Sequence, residues 1–102
     1  MTTPADSDPT TEGDVRLTAW VHGRVQGVGF RWWTRSRALE LGLVGHATNK
    51  PDGRVLVIAE GPMARCRELL ELLRGSAAPG TVDLVVDSWE ATRGGFEGFA
   101  ER

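Results

Sequence analysis

The chain has 102 residues, 40% of them apolar and 25% charged, which fits one soluble globular domain and leaves no room for a second. Chemistries built on two lobes or on a wide doubly wound sheet are therefore excluded. With 12 basic and 14 acidic residues the net charge is -2, the wrong balance for a general nucleic-acid coat.

Residues 1–14 carry Asp6, Asp8, Glu12 and Asp14 and almost no bulky apolar side chain, so they read as a disordered acidic tail ahead of a domain at 15–102. The tail lacks the apolar core of a secretory signal, and no run approaches the roughly 20 apolar residues of a membrane span; a cytoplasmic protein is expected. Val15 to His22 alternates Leu17, Ala19 and Val21 with polar or amphipathic neighbours and predicts a half-buried strand. Phe30, Trp33, Thr34, Ala38 and Leu41 fall at helical spacing before Gly42, a C-cap residue type. Val44 to Asn49 and Val55 to Glu60 form a hairpin around the Lys50-Pro51-Asp52-Gly53 turn.

Pro62 then opens a second helix with a Cys66, Leu69, Leu70, Leu73 stripe ending before Gly75. Thr81 to Trp89 alternates at Val82, Leu84 and Val86, and Gly95 to Ala100 adds a short edge strand carrying Phe96 and Phe99. The order β-α-β-β-α-β plus an edge strand specifies an α+β fold, a ferredoxin-like α/β sandwich with both helices on one face of a mainly antiparallel sheet.

Cys66 is the only cysteine, so an internal disulfide and a cysteine metal cluster are excluded, and its place in the helix stripe makes it a packing residue. His22 and His46 have no carboxylate at ligand spacing. No metal and no cofactor are expected.

The chemistry concentrates between the first strand and the first helix. Basic residues outnumber acidic ones 7 to 2 from Arg16 to Arg54, a field that suits a small anion. Within it, Gly23, Gly27 and Gly29 let the backbone curl so that the amides of Val25, Gln26, Gly27, Val28, Gly29 and Phe30 converge with the helix start on one point, a nest for a phosphate group. The segment has neither the Gly-Lys-Ser/Thr of a nucleotide loop nor the G-x-G-x-x-G of a dinucleotide fold.

Arg31 sits in the first helical turn, where a cation opposes the macrodipole by about 0.3–1 kcal/mol. A bound phosphate offsets that cost through two charge-assisted hydrogen bonds of about 1.5–3 kcal/mol each; an exposed surface arginine is the alternative. Arg35 and Arg37 read as surface residues, and Trp32 and Trp33 as packing residues. In this topology the first two strands are parallel with one between them, so Asn49 ends about 10 Å from the loop, able to hold a water. Turn formation before Lys50-Pro51 explains Asn49 equally well.

The run Val21-His22-Gly23-Arg24-Val25-Gln26-Gly27-Val28-Gly29-Phe30-Arg31, followed by Asn49, Gly53, Val55 and Gly61, resembles the two signatures of the acylphosphatases. The likeness extends from Val15 to about Ala100. It implies a five-stranded ferredoxin-like fold, Arg31 as the phosphate-binding catalytic arginine and Asn49 as the residue that positions the attacking water. It also implies an acyl phosphate as substrate and inorganic phosphate as product; no nucleic-acid or membrane partner is expected, and a monomer is. His46 and Thr48 depart from the family pattern and are expected to alter packing and charge near the site.

An anion-binding module resembling the acylphosphatase-like domain of a hydrogenase-maturation carbamoyltransferase is the competing reading, with a ligand-sensing domain behind it. An RNA-recognition module is disfavoured because Arg93-Gly94-Gly95-Phe96 lies near the end of the chain rather than on central strands.

Overall fold

The computed structural model describes residues 13–102, so nearly all of the predicted acidic tail lies outside the described residues. The elements follow as β1 (Asp14–Arg24), α1 (Phe30–Glu40), β2 (Val44–Asn49), β3 (Val55–Pro62), α2 (Met63–Arg74), β4 (Thr81–Ala91) and β5 (Phe99–Glu101). They form a five-stranded sheet in the order β4-β1-β3-β2-β5, antiparallel throughout except for the β2–β5 pair. This is the predicted ferredoxin-like α+β sandwich.

Alternation decides the faces. Leu17, Ala19 and Val21 of β1, Ala47 of β2, and Val55, Val57 and Ala59 of β3 are all fully buried. They meet Phe30, Trp33 and Ala38 of α1 and Cys66, Leu69, Leu70 and Leu73 of α2 in one core. The core therefore lies between the sheet and the two helices. Cys66 is fully buried there, and burial, with Asp14 and Glu60 nearby, pushes its thiol up to about 11.

Three expectations about packing are corrected. In β4 the apolar alternation points the other way: Leu84 and Val86 are exposed, while Val85 is buried and Trp89 packs against the core. The β1–β4 register shifts between His22 and Gly23, which pair with Leu84 and Val82, so Asp83 is an extra residue that reverses the parity of the strand. The edge strand is confined to Phe99–Glu101, which leaves Phe96 outside it. Trp33 is buried as a packing residue, but Trp32 is 60% exposed.

Because β4 and β5 lie on opposite edges, the chain between them crosses the helix-free face of the sheet. Glu60 anchors the crossing: its carboxylate accepts from Arg16 Nε at 2.8 Å and from the main-chain amides of Arg93 at 2.8 Å and Gly94 at 3.1 Å. Burial raises the Glu60 carboxyl, but these donors together hold it below its ordinary value. Phe96, carried by the same segment, stacks against the Arg16 guanidinium at 5.3 Å and edge-on to His46 at 5.9 Å.

Candidate active site

The register brings the predicted residues together. Val21 of β1 and Asn49 of β2 are both paired with Val55 of β3, so β1 and β2 run parallel and Asn49 stands in the row of Val21, about 10 Å away across two strand spacings. Val21 and Val55 face the helices, and Asn49, two residues on from inward-facing Ala47, shares that face. The strand ends thus deliver Asn49 to the side of the sheet on which α1 begins.

The loop between β1 and α1 closes the other side. Gly27 and Gly29 adopt φ of 76° and 87°, backbone conformations that side chains resist, and Gly29 in the left-handed region is the N-cap of α1. No side chain caps this helix, and its first turn contains no acidic residue. The first main-chain bond of the helix runs from the Trp33 amide to the Gly29 carbonyl, so the amides of Phe30, Arg31 and Trp32 are the donors left over at its start. Val25 and Phe30 are buried at the two feet of the loop, while Gly27, Val28 and Gly29 face solvent between them.

Gln26 is half-buried, and its side chain does something the sequence did not reveal. Its Nε2 donates to the carbonyls of Lys50 at 2.8 Å and Arg54 at 3.0 Å, which ties the glycine loop to the turn that follows Asn49. That turn is itself braced, because Asp52 accepts from the Arg54 amide at 3.1 Å and from Arg54 Nε at 2.7 Å. The Arg54 main-chain amide, opposed by desolvation and helped by the guanidinium, holds the Asp52 carboxyl below its usual range.

Arg31 Nη1 donates to the Arg102 main-chain oxygen at 2.6 Å, and the Asn49 main-chain amide donates to the same oxygen at 3.1 Å. Arg35, expected to be a plain surface residue, instead donates from Nε to the Phe99 carbonyl at 2.9 Å and fastens α1 to β5. Arg37 remains on the surface, paired with Glu40. The Asn49 Oδ1 is buried and accepts no hydrogen bond from the described residues, a free acceptor on the loop side of the sheet.

His46 and Thr48 occupy the opposite face. They alternate with Ala47 and Asn49, and His46 Nδ1 lies 2.7 Å from Thr48 Oγ1. These two departures therefore affect the packing beneath Phe96 and do not line the loop. Among the described residues no three His, Cys, Asp or Glu side chains converge as a metal site, and no helix is long and apolar enough to cross a membrane.

A glycine loop with free helix-start amides, beside an arginine and an unpartnered amide oxygen, is the kind of site that suits a small anion such as phosphate. The family profile of the acylphosphatases matches residues 17–101. An acylphosphatase of Nocardia farcinica is 72% identical over 88 residues, 86% of this chain and 88% of the relative, and one of Rhodococcus jostii is 68% identical over 87 residues, covering 85% and 98%. Among solved structures, the acylphosphatase from Bacillus subtilis superposes with a TM-score of 0.78 at 31% identity over 86% of this chain and 98% of that one. Full-length HypF matches with a TM-score of 0.79 at 19% identity, covering 87% of this chain and 12% of its own, a likeness of fold alone. The chain belongs to the acylphosphatase family. Its reaction is the hydrolysis of an acyl phosphate to a carboxylate and inorganic phosphate.

Proposed function

We propose that this hydrolysis proceeds by direct attack of a water held by Asn49 on a phosphoryl group gripped by Arg31 and the loop amides from Val25 to Phe30. The observation that carries the proposal is a buried Asn49 Oδ1 without a partner among the described residues, held near Arg31 by the Arg102 main-chain oxygen that both residues bind. Oδ1 accepts a hydrogen from water and leaves a lone pair of its oxygen directed at phosphorus. The amides and the guanidinium bind the equatorial oxygens, where charge is held in the transition state. The P–O bond to the acyl group breaks, and the carboxylate leaves without needing a strong general acid. The proton of the attacking water passes to a phosphate oxygen of the substrate.

Arginine and amides supply the electrostatic stabilisation in this scheme, so no metal ion is required. A monomer is the working unit in this scheme. A lone cysteine, unable to form an internal disulfide, is consistent with a cytoplasmic location.

The test is turnover of acetyl phosphate beside p-nitrophenyl phosphate, each with and without chelator. Cleavage of the acyl phosphate alone, unchanged by chelator, is expected. Comparable hydrolysis of the monoester, or loss of activity with chelator and recovery with a divalent ion, overturns the mechanism.

A further inference from the structure

Arg31 and Arg35 are four residues apart and share the face of α1 that is turned toward β5. Each reaches one end of that strand: Arg35 Nε donates to the Phe99 carbonyl at 2.9 Å, and Arg31 Nη1 to the Arg102 main-chain oxygen at 2.6 Å. Only Arg31 takes part in the proposed chemistry. Among the described residues no carboxylate pairs with Arg35, so its contact with β5 is not the by-product of an ion pair.

The strand depends on such a hold. It has three residues, lies at the edge of the sheet and pairs with β2 alone. Phe99 is buried in the core and fixes where the strand begins, but Ala100, Glu101 and the following Arg102 are exposed, so no core side chain sets the course of the chain beyond it. That course is left to main-chain hydrogen bonds. The carbonyl of Gly98 accepts from the Gly45 amide at 3.0 Å, the Arg102 oxygen accepts from the Asn49 amide at 3.1 Å, and the Arg102 amide donates to the Ala47 carbonyl at 2.8 Å. Successive carbonyls of a strand point to opposite edges, so the Phe99 carbonyl faces away from β2, and Arg35 is its partner there. β2 and Arg35 thus grip the strand from its two edges. With few buried contacts of its own, a strand of this kind shifts at low cost once one grip is lost.

Granted the mechanism above, on which this inference rests, we propose that Arg35 is a positioning residue for Arg31. By orienting the Phe99 peptide it sets the course of β5, and β5 presents the Arg102 oxygen that fixes the direction of the Arg31 guanidinium. Arg35 acts through the hydrogen bond of its Nε and not through its charge, and it touches neither phosphate nor water. Its loss lets the Arg102 oxygen shift, and the guanidinium that follows this oxygen no longer meets the phosphoryl group squarely. A misplacement of about 1 Å at a reacting group costs up to roughly 10²-fold in rate.

The experiment compares the unmodified protein with Arg35→Met, Arg35→Gln, Arg31→Ala and the double variant Arg31→Ala with Arg35→Met. It reads kcat and KM for acetyl phosphate and the inhibition constant of inorganic phosphate, at a temperature below the lowest Tm of the set, with folding checked by circular dichroism. Glutamine carries its Nε2 as many bonds from Cα as arginine carries Nε, so it keeps the donor and drops the charge, whereas methionine keeps the apolar stem and drops both. Arg35→Met is expected to lower kcat roughly tenfold and to weaken phosphate inhibition at least about threefold, while Arg35→Gln stays within about twofold of the unmodified protein in both. In the Arg31→Ala background, Arg35→Met is expected to change phosphate inhibition by less than about twofold, because the group it positions is gone. Full activity in Arg35→Met, a glutamine variant as impaired as the methionine one, an undiminished effect in the Arg31→Ala background, or a methionine variant that does not fold overturns the inference while acyl phosphate turnover stands. Undiminished phosphate inhibition in Arg31→Ala overturns the role of Arg31 itself, and failure of the folded unmodified protein to hydrolyse acetyl phosphate overturns the activity; either result removes the inference as well.

Discussion

Arg31 and Asn49 meet on one acceptor, the Arg102 main-chain oxygen, which takes the guanidinium at 2.6 Å and the Asn49 main-chain amide at 3.1 Å. The contact takes one of the guanidinium's five N–H donors and fixes its direction. Because the same oxygen fixes the backbone at Asn49, the proposed phosphate-binding group and the proposed water-binding group are positioned relative to each other by a single atom of the main chain.

Gln26 sets a second spacing, between the cradle and the turn after Asn49. The carbonyls it binds already have main-chain partners, since the Lys50 amide donates to the Arg54 carbonyl and the Gly53 amide to that of Lys50. Gln26→Ala is therefore expected to cost only about 1 kcal/mol of stability while lowering kcat/KM roughly tenfold, because the loop is freed from the turn. Gln26→Glu puts an acceptor against two acceptors and is expected to be worse than alanine in both respects. A glutamate variant as active as the unmodified protein would show that the tether does not position the loop.

Glu60 separates stability from catalysis. It gathers three donors on the helix-free face, away from the cradle, and is 5% exposed. Glu60→Ala leaves the Arg16 guanidinium and two amides without their acceptor and is expected to cost about 2–4 kcal/mol, or roughly 10 °C or more in Tm for a domain of this size. Well below its own Tm the variant is expected to keep kcat within about threefold, since Arg35 and the β2 pairing still hold β5. A normal Tm, or loss of kcat in the fully folded variant, contradicts this division.

His46 supplies a pH dependence of stability. Burial, together with Arg102, Arg16 and Lys50, holds its imidazole below its ordinary value of 6.5. Between the folded and unfolded values the unfolded chain binds the additional proton, so stability rises with pH across that window and falls as pH drops through about 6.5. The carboxylates of Asp52, Glu60 and Asp87 are held below their ordinary values, and their contributions are lost only at more acidic pH. His46→Phe is expected to flatten the fall in Tm between about pH 7 and pH 5.5. Parallel slopes for the two proteins would locate the effect elsewhere.

The positions of the glycine loop, Arg31 and Asn49, though not their proposed roles, were legible in the sequence because each rests on short-range chemistry: glycines that permit a curled loop, a cation misplaced at a helix start, and an amide at a strand end that topology carries to the loop. The Gln26 tether and the Arg102 acceptor were not, since each joins a side chain to a main-chain oxygen far along the chain, and a main-chain oxygen has no residue type to reveal it. The inner face of β4 was misread for a different reason. Val82, Leu84 and Val86 do alternate, but a bulge opposite His22 and Gly23 inserts Asp83 and moves the buried positions to Val85 and Trp89. Both sides of the strand carry apolar residues, so alternation alone could not choose between them. Trp32 and Trp33 are adjacent on α1, and 100° of helical rotation buries one against Phe30 while it exposes the other.

Arg31 and Asn49 are expected to fail in different ways when removed, because the first is proposed to bind phosphate and the second water. Arg31→Ala takes away a charge that acts on the phosphate both in the ground state and at the transition state. It should weaken inorganic phosphate as a competitive inhibitor and lower kcat by at least roughly 10² to 10³, the scale of one preorganised charge-stabilising group. Asn49→Ala removes the buried Oδ1 but spares the main-chain amide that binds the Arg102 main-chain oxygen. Phosphate should then inhibit nearly as well as before while kcat falls by a similar order, since the oriented water is needed only for attack. Asn49→Asp sharpens the comparison: it keeps an oxygen for the water but sets a negative charge beside the cradle, so phosphate inhibition should weaken as well. Circular dichroism and thermal melts on each variant establish that the fold survives, which matters most at Asn49 because the turn at Pro51 follows it closely. Near-normal kcat in Asn49→Ala, or undiminished phosphate inhibition in Arg31→Ala, would overturn the assignment of roles.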